Sequence, residues 1–162
     1  MRCLSLALLL ILGLISITTD AQAQRLEHWQ TAGAGLSTPL GFNVGSSYSL
    51  VVKDNLFLQA SGSFTSDPYV TRHSVFAAGP AIGLRQITEV ALLSVSAGPM
   101  YSRGVRGADQ NLPGTSYDTV SMNVIGQMLF REINMGVELY TNFNPVRNVS
   151  GMRLIYRLGN LR

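Results

Sequence analysis

The chain has 162 residues, only 13% of them charged, and a formal net charge of +3. That length suits one domain. An excess of positive charge this small leaves no electrostatic footprint for nucleic acid, so no such partner is expected.

Met1 to Ala23 reads as a secretory signal peptide. Arg2 is its positive region, Leu4 to Ile17 its apolar core and Ala21-Gln22-Ala23 an A-x-A cleavage site. The core is shorter than the roughly 20 residues a spanning helix needs. Cys3 leaves with the leader. The expected mature chain, residues 24–162, then has no cysteine, which excludes disulfides, thiolate catalysis and cysteine zinc sites.

From Trp29 onward the residues alternate. A first strand over 29–36 puts Ala32, Ala34 and Leu36 on one parity. Gly33-Ala34-Gly35 is not a phosphate loop, because no helix follows it. After the turn signal Ser37-Thr38-Pro39, a second strand over 42–52 sets Phe42, Val44, Tyr48 and Leu50 against Asn43, Gly45, Ser47 and Ser49. Lys53-Asp54-Asn55 turns into a third strand, 56–64, with Leu58, Ala60 and Phe64 opposite Gln59, Ser61 and Ser63. A longer loop, 65–72, leads to a fourth strand over 73–84. Arg85-Gln86-Ile87 is expected to turn. The fifth strand, 88–102, sets Leu93, Val95, Ala97 and Tyr101 against Ser94, Ser96 and Gly98. Residues 104–116 carry Gly107, Pro113 and Gly114 and no apolar period. The sixth strand, 117–130, sets Val120, Met122 and Val124 against Ser121, Asn123, Ile125 and Gln127.

The last hairpin, 132–158, has the cleanest pattern. Met135, Val137, Leu139, Met152, Leu154 and Tyr156 share one face; Asn134, Glu138, Arg153, Ile155 and Arg157 share the other. Strict alternation of this kind marks strands with a different solvent on each face. About ten residues at ~3.3 Å rise, tilted near 45°, span about 23 Å, the height of an outer-membrane hydrocarbon band. The connections after the second, fourth and sixth strands are short. Those after the third, fifth and seventh are long. The predicted fold is all-β: an eight-stranded antiparallel up-and-down transmembrane β-barrel with a polar lumen. A soluble secreted barrel of the lipocalin type, with apolar faces inward, shares the alternation. Its water-facing surface would be rich in Lys and Glu. Here the polar faces are Ser, Gly, Asn and Gln, and the chain has one Lys, Lys53.

The segments Ala78-Gly79-Pro80-Ala81-Ile82-Gly83 and Ala97-Gly98-Pro99-Met100 carry a Gly-Pro pattern. With it, the whole expected mature chain resembles the small eight-stranded outer-membrane barrels of the OmpA-transmembrane and OmpX kind, the porin-family proteins of Gram-negative bacteria. Many of those end in an aromatic residue. Here Tyr156 is the last strand aromatic, and Gly159-Asn160-Leu161-Arg162 follows. The resemblance implies an outer-membrane location, a monomer surrounded by outer-membrane lipid and lipopolysaccharide, a structural or interaction role through long loops that leaves room for a protein partner there, and no cofactor.

Four candidate features remain. If Glu138 faces Arg153, the same register sets Asn134 opposite Arg157. With Asn123 and Gln127 these form an expected polar network filling a lumen too narrow for a wide channel. Arg72, Arg103, Arg106 and Arg147 fall at the long-loop rim, where guanidinium forks suit lipopolysaccharide phosphates. His73-Ser74 beside Asp67 invites a catalytic reading, as in lipid-modifying barrels, but neighbouring strand residues point to opposite faces. His28 and His73, the only histidines, make no metal constellation with the scattered acids.

Overall fold

The computed structural model describes residues 27–38, 41–67, 73–106 and 114–158. The expected leader, Arg72 and residues 159–162 lie outside these. Eight strands follow one another: β1 (His28–Ser37), β2 (Gly41–Lys53), β3 (Leu56–Asp67), β4 (His73–Ile87), β5 (Ala91–Arg106), β6 (Thr115–Phe130), β7 (Met135–Phe143) and β8 (Val149–Leu158). Each pairs antiparallel with the next, and β8 pairs with β1, so the sheet closes on itself as an antiparallel eight-stranded barrel. Closure removes the sheet edges from the part of the wall where all eight strands pair.

The alternation sorts as expected. Leu36, Phe42, Ile82, Val95, Leu139 and Leu154 are exposed on the outside, while Thr31, Ser49, Gln59, Asn123, Glu138 and Arg153 are buried within. This is the reverse of a lipocalin-type barrel, whose apolar faces line the interior.

Three short turns lie at the end that also holds the start of β1 and the end of β8. Asp54 (φ 46°) and Asn134 (φ 54°) take the left-handed conformation in two of them, a region Asn and Asp tolerate better than other side-chain-bearing residues. In the third, Thr88 caps the turn. Its N–H donates to Ala91 O at 2.8 Å, and Ala91 N–H donates to Thr88 Oγ1 at 3.0 Å. This last turn corrects the sequence reading. β4 runs on through Arg85-Gln86-Ile87, and the turn sits at 88–90. Three boundaries on the long-loop side also move. β3 reaches Asp67, and β5 and β6 extend to Arg106 and back from Thr115.

The lumen is not polar throughout. At the short-turn end Trp29, Phe57, Leu92 and Leu129 are each 0% exposed, with Ile155, Val51 and Ile87 packed against them. Trp29 and Phe57 meet with ring centroids 5.0 Å apart, tilted by 59°. Burying side chains of this size is worth roughly 1.5–3 kcal/mol each. The expected polar lumen does not extend to this end, where the barrel holds a conventional apolar core.

Candidate functional site: the lumen and the long-loop rim

Above the apolar layer, inward polar side chains form a belt. Glu138 and Arg153 face each other across the β7–β8 ladder. Arg153 Nη2 lies 2.7 Å from Glu138 Oε1, and Gln127 Nε2 donates to Glu138 Oε2 at 2.7 Å. Gln127 Nε2 also reaches Thr31 Oγ1 at 3.4 Å, and Ser94 donates to Gln127 Oε1 at 3.4 Å. Thr31 and Ser47 share a bond of 2.8 Å. Gln59 donates to Ser47 and Ser49 at 3.1 and 3.2 Å and accepts from Ser96 at 2.6 Å. The belt thus runs through every strand except β4, whose inward face between His73 and Arg85 is Val75, Ala77, Gly79, Ala81 and Gly83. Both members of the Glu138–Arg153 pair are nearly fully buried, where a partnerless charge is costly.

Arg153 fits because of its neighbours. Its guanidinium lies 4.4 Å from the centre of the Tyr140 ring, a cation–π contact. It also fills the space a side chain at Gly45 would need, since a Cβ there would stand 1.3 Å from Nη1. Asn123 lines a cavity of about 10 Å³ with Ser47, Ser61, Met100, Glu138 and Arg153. That volume is about one water molecule.

Arg157 lies nearer the short turns. Its side chain donates to Asn134 Oδ1, and its backbone N–H donates to Asn134 O at 2.7 Å. Arg85, expected in a turn, points instead into the lumen. It pairs with Glu27 at 2.5 Å and lies 5.8 Å from the Trp29 ring centre. Of the sequence-predicted lumen residues, Glu138, Arg153 and Gln127 are joined directly, Asn123 borders the same cavity, and Asn134 with Arg157 forms a separate pair. Thr31, Ser47, Gln59 and Ser96 complete the belt. Their inward parity was legible, but their reach across the lumen depends on closure.

The rim arginines are not brought together. Arg103 lies on the outer face of β5, 3.7 Å from Asp118, which also accepts from Tyr101 Oη at 2.5 Å. Arg147 lies on the β7–β8 connection. Arg106 ends β5, its side chain outside the described residues like the whole of Arg72. His73 faces inward, stacked on Tyr117, with Nε2 and the phenol oxygen 2.8 Å apart. Ser74 points outward and bonds Ser66 at 3.1 Å. His28 stacks on Tyr48. His73 and Ser74 thus lie on opposite faces of β4.

β5 and β6 rise beyond their neighbours. β6 pairs with β5 from Thr115 to Phe130, but with β7 only from Met122 downward. Among the described residues no strand pairs with the far edge of 115–121.

No family model and no curated protein sequence matches the chain. Solved structures do match its fold. The N-terminal β-barrel domain of Pseudomonas aeruginosa OprF aligns with a TM-score of 0.59 at 13% identity, covering 83% of this chain and 100% of that one. Ail, the attachment invasion locus protein of Yersinia pestis, aligns at 0.57 and 12%, with the same two shares. The outer membrane enzyme PagL aligns at 0.52 and 12%, covering 82% and 99%. The fold is that of small eight-stranded outer-membrane barrels.

Proposed function

We propose that this chain is a non-enzymatic outer-membrane barrel that conducts nothing along its axis and works at its long-loop end, where the open edge of β6 takes up an extended segment of a partner protein. The apolar outer face supports the membrane location. The sealed lumen supports the lack of conduction, since four side chains at 0% exposure close the short-turn end. The observation that carries the interaction role is the edge of β6. The β5–β6 ladder is unbroken through Pro99, whose partner there is Met122. The hydrogen-bonded pairs on that side are therefore those on either side of it. Alternation then turns the N–H and C=O groups of Ser116, Asp118 and Val120 toward the open side. An unpaired strand edge of this kind is a template for β-augmentation. The exposed Arg103, beside Asp118, remains the rim residue best placed for a lipopolysaccharide phosphate.

The test has three parts. The protein should fractionate with outer membranes and shift on a denaturing gel between boiled and unboiled samples. Recovery as a soluble periplasmic protein would overturn the reading. In planar bilayers it should be silent. Trypsin added to intact cells should cut at Arg106 and spare Lys53 and Arg131; the opposite pattern inverts the topology.

A further inference from the structure

The barrel wall has one break away from its turns, in the middle of β4–β5. The two strands pair from Ser74↔Val105 to Ala78↔Tyr101 and again from Ile82↔Ala97 to Ile87↔Leu92. The register is the same on both sides of the gap, so this is not a bulge. In that register Pro80 faces Pro99. Neither has an N–H, so both donors of the pair are missing at once. The outer ladders confirm where the loss falls: β3–β4 runs unbroken through Ala60↔Pro80, and β5–β6 through Pro99↔Met122. The carbonyls of Pro80 and Pro99 therefore lose their ladder donors. Each lies against a glycine of the other strand, an approach the intact ladders share at Gly35 with Met152 O and at Gly136 with Met128 O. A Cβ at Gly79 would stand 2.2 Å from Pro99 O, and one at Gly98 2.1 Å from Pro80 O. Cα–H contacts of that kind are weaker than the bonds they replace.

The ladder holds on both sides of the gap, from Ser74 to Ala78 and from Ile82 to Ile87. The polar belt skips β4, and the residues flanking the prolines on the inside are Gly79, Ala81, Gly98 and Met100. Met100, 3% exposed, lines the cavity bordered by Glu138 and Arg153. Methionine is unbranched and changes rotamer readily. Outside, both prolines are exposed, between Ala78 and Ala97.

We propose that the β4–β5 seam is a side gate: the wall parts between Pro80 and Pro99, Met100 swings as its inner leaf, and the opening takes a membrane-dissolved amphiphile whose head donates hydrogen bonds. Two carbonyl acceptors without donors, set in a hydrocarbon-facing wall, select that head chemistry. The gate gives a lumen sealed along its axis a lateral entrance. It rests on the membrane-embedded reading of the wall.

The test uses the chain with Cys3→Ser and Met100→Cys, exported, purified and reconstituted in phosphatidylcholine vesicles. Its heat-dependent gel shift confirms folding into the bilayer, so failure of the membrane reading shows before the gate is probed. A maleimide on a stearoyl chain should label Met100→Cys faster than a sulfonated, water-soluble maleimide. Adding Pro80→Val and Pro99→Val restores two ladder donors and should slow the lipid-borne reaction about twenty-five-fold, about fivefold for each bond. Octadecanol should compete and octadecane should not. Ala81→Cys, a smaller change at the same seam, serves as the second reporter if Met100→Cys does not fold. Faster or equal labelling from water, or a lipid-borne rate unmoved by the two valines, overturns the gate. Equal competition by the alcohol and the alkane overturns the head-group chemistry.

Discussion

The two ends of one lumen solve the same packing problem differently. Near the short turns the interior is apolar, with Trp29, Phe57, Leu92 and Leu129 closed against each other. Above them it is a belt of Glu138, Arg153, Gln127, Gln59 and small hydroxyls. The apolar end needs only shape and volume. The polar belt needs every partner in place, because a buried group left without one costs its full desolvation. The first is therefore tolerant in chemistry and intolerant of voids; the second is the reverse.

Mutations can separate the two behaviours. The largest effect is expected for Trp29→Ala, which empties the centre of the apolar layer and should cost about 4 kcal/mol. Urea unfolding of the vesicle-inserted barrel reads it, and a loss near zero would mean that the layer contributes nothing. Glu138→Ala should follow at about 3 kcal/mol, because Arg153 is left buried without its carboxylate. The double change with Arg153→Ala should recover part of that loss; strictly additive losses would show that the two are not coupled. Gly45→Val comes third, at about 2 kcal/mol, since its side chain would displace the Arg153 guanidinium. Its cost should nearly vanish in an Arg153→Ala background. If it persists there, the strand and not the arginine needs the glycine.

The Glu138–Arg153 pairing could be read from sequence because one hairpin register sets it. The apolar layer also left a trace. Leu50-Val51-Val52, Leu56-Phe57-Leu58, Leu92-Leu93 and Met128-Leu129-Phe130 break the alternation, and all lie at the short-turn end. An apolar residue on both parities means an apolar interior there, yet a period-2 reading attends only to the outward set. Gln59 reaching Ser96 was out of range, because β3 and β5 become neighbours across the lumen only when the barrel closes. The opposed prolines were hidden for a simpler reason. Placing the turn at Arg85-Gln86-Ile87 shifts the β4–β5 register and slides Pro80 away from Pro99. Thr88, which the alternation alone assigns to the start of a strand, caps the true turn with its hydroxyl and N–H.

Trp29 is the chain's single tryptophan, and its neighbours come from almost the whole length of the chain. Phe57 follows it in β3, Leu92 in β5, Leu129 in β6 and Ile155 in β8. No single hairpin can assemble that environment. An isolated β1–β2 unit leaves the indole in lipid or water, and only the union of first and last strands withdraws it. Contacts so distant in sequence form late and slowly. The fluorescence of this one indole is therefore a native clock for ring closure. Its emission should change in step with the appearance of the heat-resistant gel band, and lag behind the β-sheet circular dichroism that earlier hairpins already produce.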